Sequence, residues 1–147
     1  MMKITWNDSM SVGIPEIDEE HKHFLNCVDE LNTMITLKSD INQIQKKTQK
    51  VIDMHKYHFL NEELMLEVSK YPSVEEHKIL HRNMQIKFTK YENALSEKIS
   101  CDEVVQIGLN IRNMLVTHIM LEDSAYARYY QWMETMKLID KNLNKVI

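Results

Sequence analysis

Residues 55–65 read His55-Lys56-Tyr57-His58-Phe59-Leu60-Asn61-Glu62-Glu63-Leu64-Met65. His58 and Glu62 stand four apart, one turn above each other on the same side of a helix. They interrupt an apolar stripe that runs through Ile41, Ile44 and Val51 to Met65, with His55 near the same face. Polar groups on a core face are costly unless something satisfies them. The arrangement recurs along the chain. His77-Lys78-Ile79-Leu80-His81 sets two histidines four apart on a stripe of Val74, Met84, Phe88, Tyr91 and Leu95. His118 closes a stripe of Val104, Ile107, Ile111 and Leu115, and Asp123 follows five residues on. Upstream, His21 lies in line with Ile17, Phe24, Val28, Leu31 and Ile35.

Four such stripes with steps of three and four predict four helices. Gly 2 and Pro 2 are low counts for 147 residues, so turns are few and elements long. The first helix runs from about Pro15 to Leu37, with acidic residues in its first turns. Ser39 and Asp40 cap a second, which runs to about Ser69. Tyr71-Pro72-Ser73 breaks the chain before a third, over about 73–98. Ser100 and Asp102 are candidate caps for the fourth, in which Gly108 marks close helix contact. Short connections order the helices up-down-up-down. The expected fold is therefore all-α: a single domain over 1–147, with an irregular N-terminal arm (1–15), an antiparallel four-helix bundle (16–123) and an extra C-terminal helix (124–147). Trp6 in the arm reads as an apolar lid. Asp123 lies about 140° further round an ideal helix than His118, so it reaches a shared site if the helix ends, bends or aims the side chain back.

The formal net charge is −4 with no basic stripe, which argues against a nucleic-acid partner. No apolar run marks a signal peptide or a membrane span. Cys27 and Cys101 are far apart and form no C-x-x-C pair. Two buried thiols in a cytoplasmic protein are the expectation.

His21, His58, Glu62, His77, His81, His118 and Asp123 thus converge from all four helices. Each histidine alone has an ordinary explanation as a surface or hydrogen-bonded core residue; the joint pattern does not. Imidazole suits iron, zinc and copper, and carboxylates can bridge two cations. Seven donors exceed one tetrahedral ion; shared between two ions, they give about five or six contacts each. A zinc-protease helix needs His-Glu-x-x-His, and the 77–81 stretch lacks the glutamate. Ferritin-like di-iron sites use Glu-x-x-His on two helices, whereas this set is histidine-rich and carboxylate-poor.

The chain resembles the hemerythrin family, and most closely its single-domain bacterial members. The resemblance rests on Val12-Gly13-Ile14, Ile17-Asp18-Glu19-Glu20-His21, His58 through Met65, Tyr71-Pro72 with His77 and His81, and His118-Ile119 through Asp123 to Tyr126. It spans roughly residues 6–130. It implies two non-haem iron ions bridged by Glu62, Asp123 and an oxo or hydroxo oxygen. His77, His81 and His118 would complete one iron. His21 and His58 would hold the other, leaving a position open for dioxygen. Phe24, Phe59, Met114, Leu115 and Ile119 would line an apolar pocket around it. Four positions depart from the family pattern. Glu20 replaces a usual Gln and is expected to be exposed and of little effect. Met114 replaces a common Trp, which loosens the pocket wall. His23 and His55 match no ligand position and are expected at the surface.

Trp132, Met136, Ile139, Leu143 and Val146 step by four, three, four and three, a seam of coiled-coil spacing. It serves either packing onto the bundle after a turn at Ser124, or self-association as a homodimer, or a partner surface. Three functions compete: a reversible oxygen binder for storage or delivery, a sensor of oxygen, nitric oxide or redox state, and an enzyme. No acid–base group besides the ligands is visible by the open iron, so no enzyme activity is expected. A lone domain without an output module favours the first.

Overall fold

A computed structural model describes residues 4–96 and 98–145. Helices α1 (Pro15–Thr36), α2 (Ile41–Val68), α3 (Val74–Ser96) and α4 (Cys101–Thr117) form the expected bundle, and no strand occurs among the described residues. α1 starts on Pro15, whose missing N–H costs nothing at that position. The Asp40 carboxylate accepts from the N–H groups of Asn42 and Gln43 to start α2. Ser100 and Glu103 form a reciprocal capping box at α4. α1 and α2 both end on a lysine with left-handed backbone, Lys38 at φ 52° and Lys70 at φ 57°. Ser39 N–H then donates to Met34 O and Tyr71 N–H to Leu66 O, which satisfies carbonyls the helix ends would leave bare.

The arm is tied down rather than loose. The Asp18 carboxylate accepts from Val12 N–H at 2.8 Å and from Ser11 Oγ at 2.5 Å. Val12 then packs with Ile17, Leu66, Tyr126 and Ala127. Trp6 and Met10 lie against Phe24, Leu25 and Ile119, as expected of a lid. A Cβ on Gly108 would meet Ile35 Cδ1 at 2.8 Å, so α4 does approach α1 closely there.

The last third of the bundle corrects the expectation. No turn occurs after Asp123. α4 passes through a π-helical segment, His118–Glu122, straight into α5 (Asp123–Leu143). The Asp123 N–H donates to His118 O, an i to i+5 bond. Its wider turn brings residues five apart onto one face, which is how Asp123 joins His118. By length and composition this continuous helix, Cys101–Leu143, could cross a membrane, but its inner face is bundle core and it carries the buried His118 and Asp123. The first turns of α5 belong to the bundle: Tyr126 and Ala127 are buried, and Tyr130 donates to Met65 O on α2. Beyond Tyr130 the side chains are exposed or nearly so, including Trp132 (57%) and Leu143 (59%). Val146 lies outside the described residues. Of the two thiols, Cys27 is buried as expected; Cys101, at the first turn of α4, is exposed.

Candidate metal centre

All seven side chains meet in the interior, each at most 4% exposed. His21 comes from α1, His58 and Glu62 from α2, His77 and His81 from α3, and His118 and Asp123 from either end of the π segment. They form two adjoining groups, one of Glu62, His77, His81 and His118, the other of His21, His58, Glu62 and Asp123.

The carboxylates are split between the groups. Glu62 Oε2 lies 3.1 Å from His77 Nε2 and 3.0 Å from His81 Nε2, while its Oε1 lies 3.8 Å from His58 Nε2. Asp123 Oδ1 lies 3.1 Å from His118 Nε2, and its Oδ2 lies 3.2 Å from His21 Nε2. Neither Asp123 oxygen makes a directional hydrogen bond. Tyr126 donates its hydroxyl to Glu62 Oε1.

Three histidines are oriented from behind by further carboxylates. His58 Nδ1 donates to Glu20 Oε2 at 2.6 Å, His81 Nδ1 to Glu63 Oε1 at 2.8 Å, and His118 Nδ1 to Glu122 Oε2. A carboxylate accepts, so Nδ1 carries the proton and Nε2 is turned toward the site. Glu20 is thus no idle surface acid; it also accepts from Asn61. Glu63 and Glu122 have the same role and are not distinguished in the sequence from the other solvent-facing acids.

The Nε2 atoms then face one another: His81 and His118 at 3.1 Å, His21 and His58 at 3.3 Å. Two bare imidazole lone pairs at such a distance repel, so protons or cations must lie between them. Burial opposes a charged His118, but Asp123, Glu122 and Glu62 outweigh it and push its pKa up to about 10. His58 is raised as well, since Glu62 and Glu20 overcome its burial. Burial would raise the Glu62 pKa, but His58 and hydrogen bonds from His118, His77 and His81 hold it well below the ordinary range. Five imidazoles and two carboxylates closing on two points fit two cations of the iron, zinc or copper kind.

Around the centre, Phe59 stacks on His81 at 3.9 Å between ring centroids. Phe24 meets the His58 ring edge-on. Ile119 packs with Phe24, and Leu115 with Phe59. Met114 is half-buried at the rim of that second cluster and lines a surface cleft of about 430 Å³ with Leu80, Met84 and Thr117. His23 is exposed as expected. His55 is not: it is 1% exposed, and its ring stacks on Phe24 at 3.9 Å. Its place on the inner stripe of α2, four residues after Val51, was the signal for this.

Residues 12–130 match the family model described as the hemerythrin HHE cation binding domain. Among individual proteins, the chain is 25% identical over 127 residues to a bacteriohemerythrin of Stenotrophomonas maltophilia, covering 86% of this chain and 81% of that one. It is 30% identical over 86 residues to myohemerythrin-1 of Phascolopsis gouldii, covering 56% of this chain and 63% of that one. A bacteriohemerythrin of Campylobacter jejuni is 21% identical over 136 residues, covering 87% and 96%.

Proposed function

The chain belongs to the hemerythrin family, and from that premise we propose that its buried centre holds two non-haem iron ions and binds dioxygen reversibly, for storage or for delivery to oxygen-requiring enzymes. His77, His81 and His118 would hold one iron and His21 and His58 the other, with Glu62 and Asp123 shared between the two. The observation that carries this reading is the split of both carboxylates between a group of three histidines and a group of two. The two-histidine side has one protein donor fewer, which is where a small ligand fits.

Ferrous iron at such a centre would supply electrons to dioxygen and recover them on release. This chain's residues orient and seal. Glu20, Glu63 and Glu122 fix the imidazoles, Tyr126 holds Glu62, and Phe24, Phe59, Met114, Leu115 and Ile119 keep water away. No enzyme activity is assigned. We propose a cytoplasmic protein with no membrane partner; its net charge of −4 argues against a nucleic-acid partner.

A second reading, as a sensor of oxygen, nitric oxide or redox state, is favoured by one observation. The helix that carries His118 and Asp123 continues into a tail whose Trp132, Met136, Ile139 and Leu143 are exposed. The occupant we assign to that tail is a second copy of this chain. Trp132, Met136, Ile139 and Leu143 repeat at the spacing a like helix fits, and no like-charged pair borders the seam.

The test is to expose anaerobic ferrous protein to dioxygen, degas it and follow absorption. A charge-transfer band should appear and then vanish. Immediate irreversible conversion to the ferric form would contradict reversible binding and favour sensing or enzyme chemistry.

A further inference from the structure

His55 matches none of the seven positions of the metal set, yet it lies in the core beside them. Its Nδ1 donates to Val51 O at 2.8 Å, within its own helix. That bond fixes the tautomer and leaves Nε2 as a bare acceptor. Nε2 is sealed from solvent and has no hydrogen-bond partner among the described residues. The surrounding rings are Phe24 stacked at 3.9 Å, Phe59 and Phe88 each at 6.1 Å, and His58 at 6.4 Å. Phe24 and Phe59 are the residues expected to wall the ligand pocket. Burial and the neighbouring His58, His118 and His21 keep the ring neutral, against the Val51 bond.

An acceptor left bare in an aromatic shell destabilises the fold, and an apolar ring of similar size would not. We propose that His55 faces the ligand of the metal centre, its Nε2 accepting a hydrogen bond from a small oxygen ligand that bears a hydrogen: water, hydroxide or hydroperoxide. Nε2 cannot donate, so unreduced dioxygen, nitric oxide and azide gain nothing from it; dioxygen would gain the bond only once held as hydroperoxide, for which the two ferrous ions would each supply one electron and the bridging hydroxide the proton. The group discriminates between a reduced, protonated ligand and an aprotic one. This inference rests on the di-iron reading above, and the experiment separates the two.

Wild type, His55→Phe and His55→Gln are loaded with iron, and metal content is measured first. Three quantities are then compared: dioxygen release from the ferrous protein, azide affinity of the ferric protein, and thermal stability of the iron-free protein. His55→Phe should release dioxygen about three- to tenfold faster, the loss of one hydrogen bond. Its azide affinity should be unchanged and its iron-free stability equal or higher. His55→Gln, which keeps an acceptor, should restore slow release. If the larger ring fails to fold, His55→Leu replaces it. Equal release rates in all variants would overturn the proposal, as would parallel changes in dioxygen and azide binding or a drop in iron-free stability with release unaltered. That last pattern is the one a purely structural histidine gives. A chain that takes up no iron removes both readings; a loaded chain with those outcomes removes only this one.

Discussion

At the scale of single residues, the three outer carboxylates Glu20, Glu63 and Glu122 decide which face each imidazole shows to the centre. Glu122→Leu should weaken metal binding about 10- to 100-fold while leaving the fold intact, because it frees the His118 ring to turn. Competition with a calibrated chelator measures this, and an unchanged affinity would show that packing alone holds the ring. The charges inside the centre set a pH dependence. With its pKa near 10, His118 is protonated in the metal-free protein at neutral pH. Metal must displace that proton, so unbuffered metal titration should release acid and affinity should fall as pH falls. The stability of the metal-free fold has two limbs with pH. The stability from His118 is full below about 6.5 and fades as pH rises toward about 10, while that from Glu62 is lost as pH falls below the ordinary carboxylate range. The seven inward donors were legible because their spacings of four match the helical turn. The outer carboxylates were not, since an acid behind a ligand looks like any other surface acid. His55 was half legible: its stripe placed it inward, while its mismatch with every ligand position suggested the surface.

At the scale of elements, helix starts were legible from Pro15, Asp40 and Ser100, whose side chains state their role locally. The ends of α1 and α2 were less so, because left-handed lysines stand where glycine is usual. Lys70→Gly should raise stability by about 0.5–1 kcal/mol, relief of the left-handed penalty less the glycine's extra unfolded-state entropy. Chemical denaturation of the metal-free protein measures it, and a loss of stability would mean the Lys70 side chain contributes more than its strain costs. The π segment was hidden because apolar periodicity registers three- and four-residue steps only. The five-residue gap from His118 to Asp123 was its trace: two ligands at that spacing need a wider turn, not the end of the helix.

At the scale of the whole molecule, the family domain ends at residue 130 and the bundle ends with it, at Tyr130. The tail beyond presents Trp132, Met136, Ile139 and Leu143 to solvent. Burying each such side chain is worth roughly 1.5–3 kcal/mol, enough for a pairing through a few turns. Sedimentation velocity at tens of micromolar should show a dimer, and Ile139→Asp or truncation after Tyr130 should give a monomer. A wild-type monomer, or a dimer that survives Ile139→Asp, would refute the seam. Iron binding should survive truncation, because the last proposed ligand is Asp123.

Two cations sharing Glu62 and Asp123 are the core of the proposed centre. Iron analysis of the chain after anaerobic loading with ferrous ion and removal of excess metal tests this most directly. Near two equivalents per chain are expected, with Glu62→Ala losing most of both, since a bridging side chain serves both ions. One equivalent in the wild type, or a chain that retains zinc and cannot be loaded with iron, would contradict it.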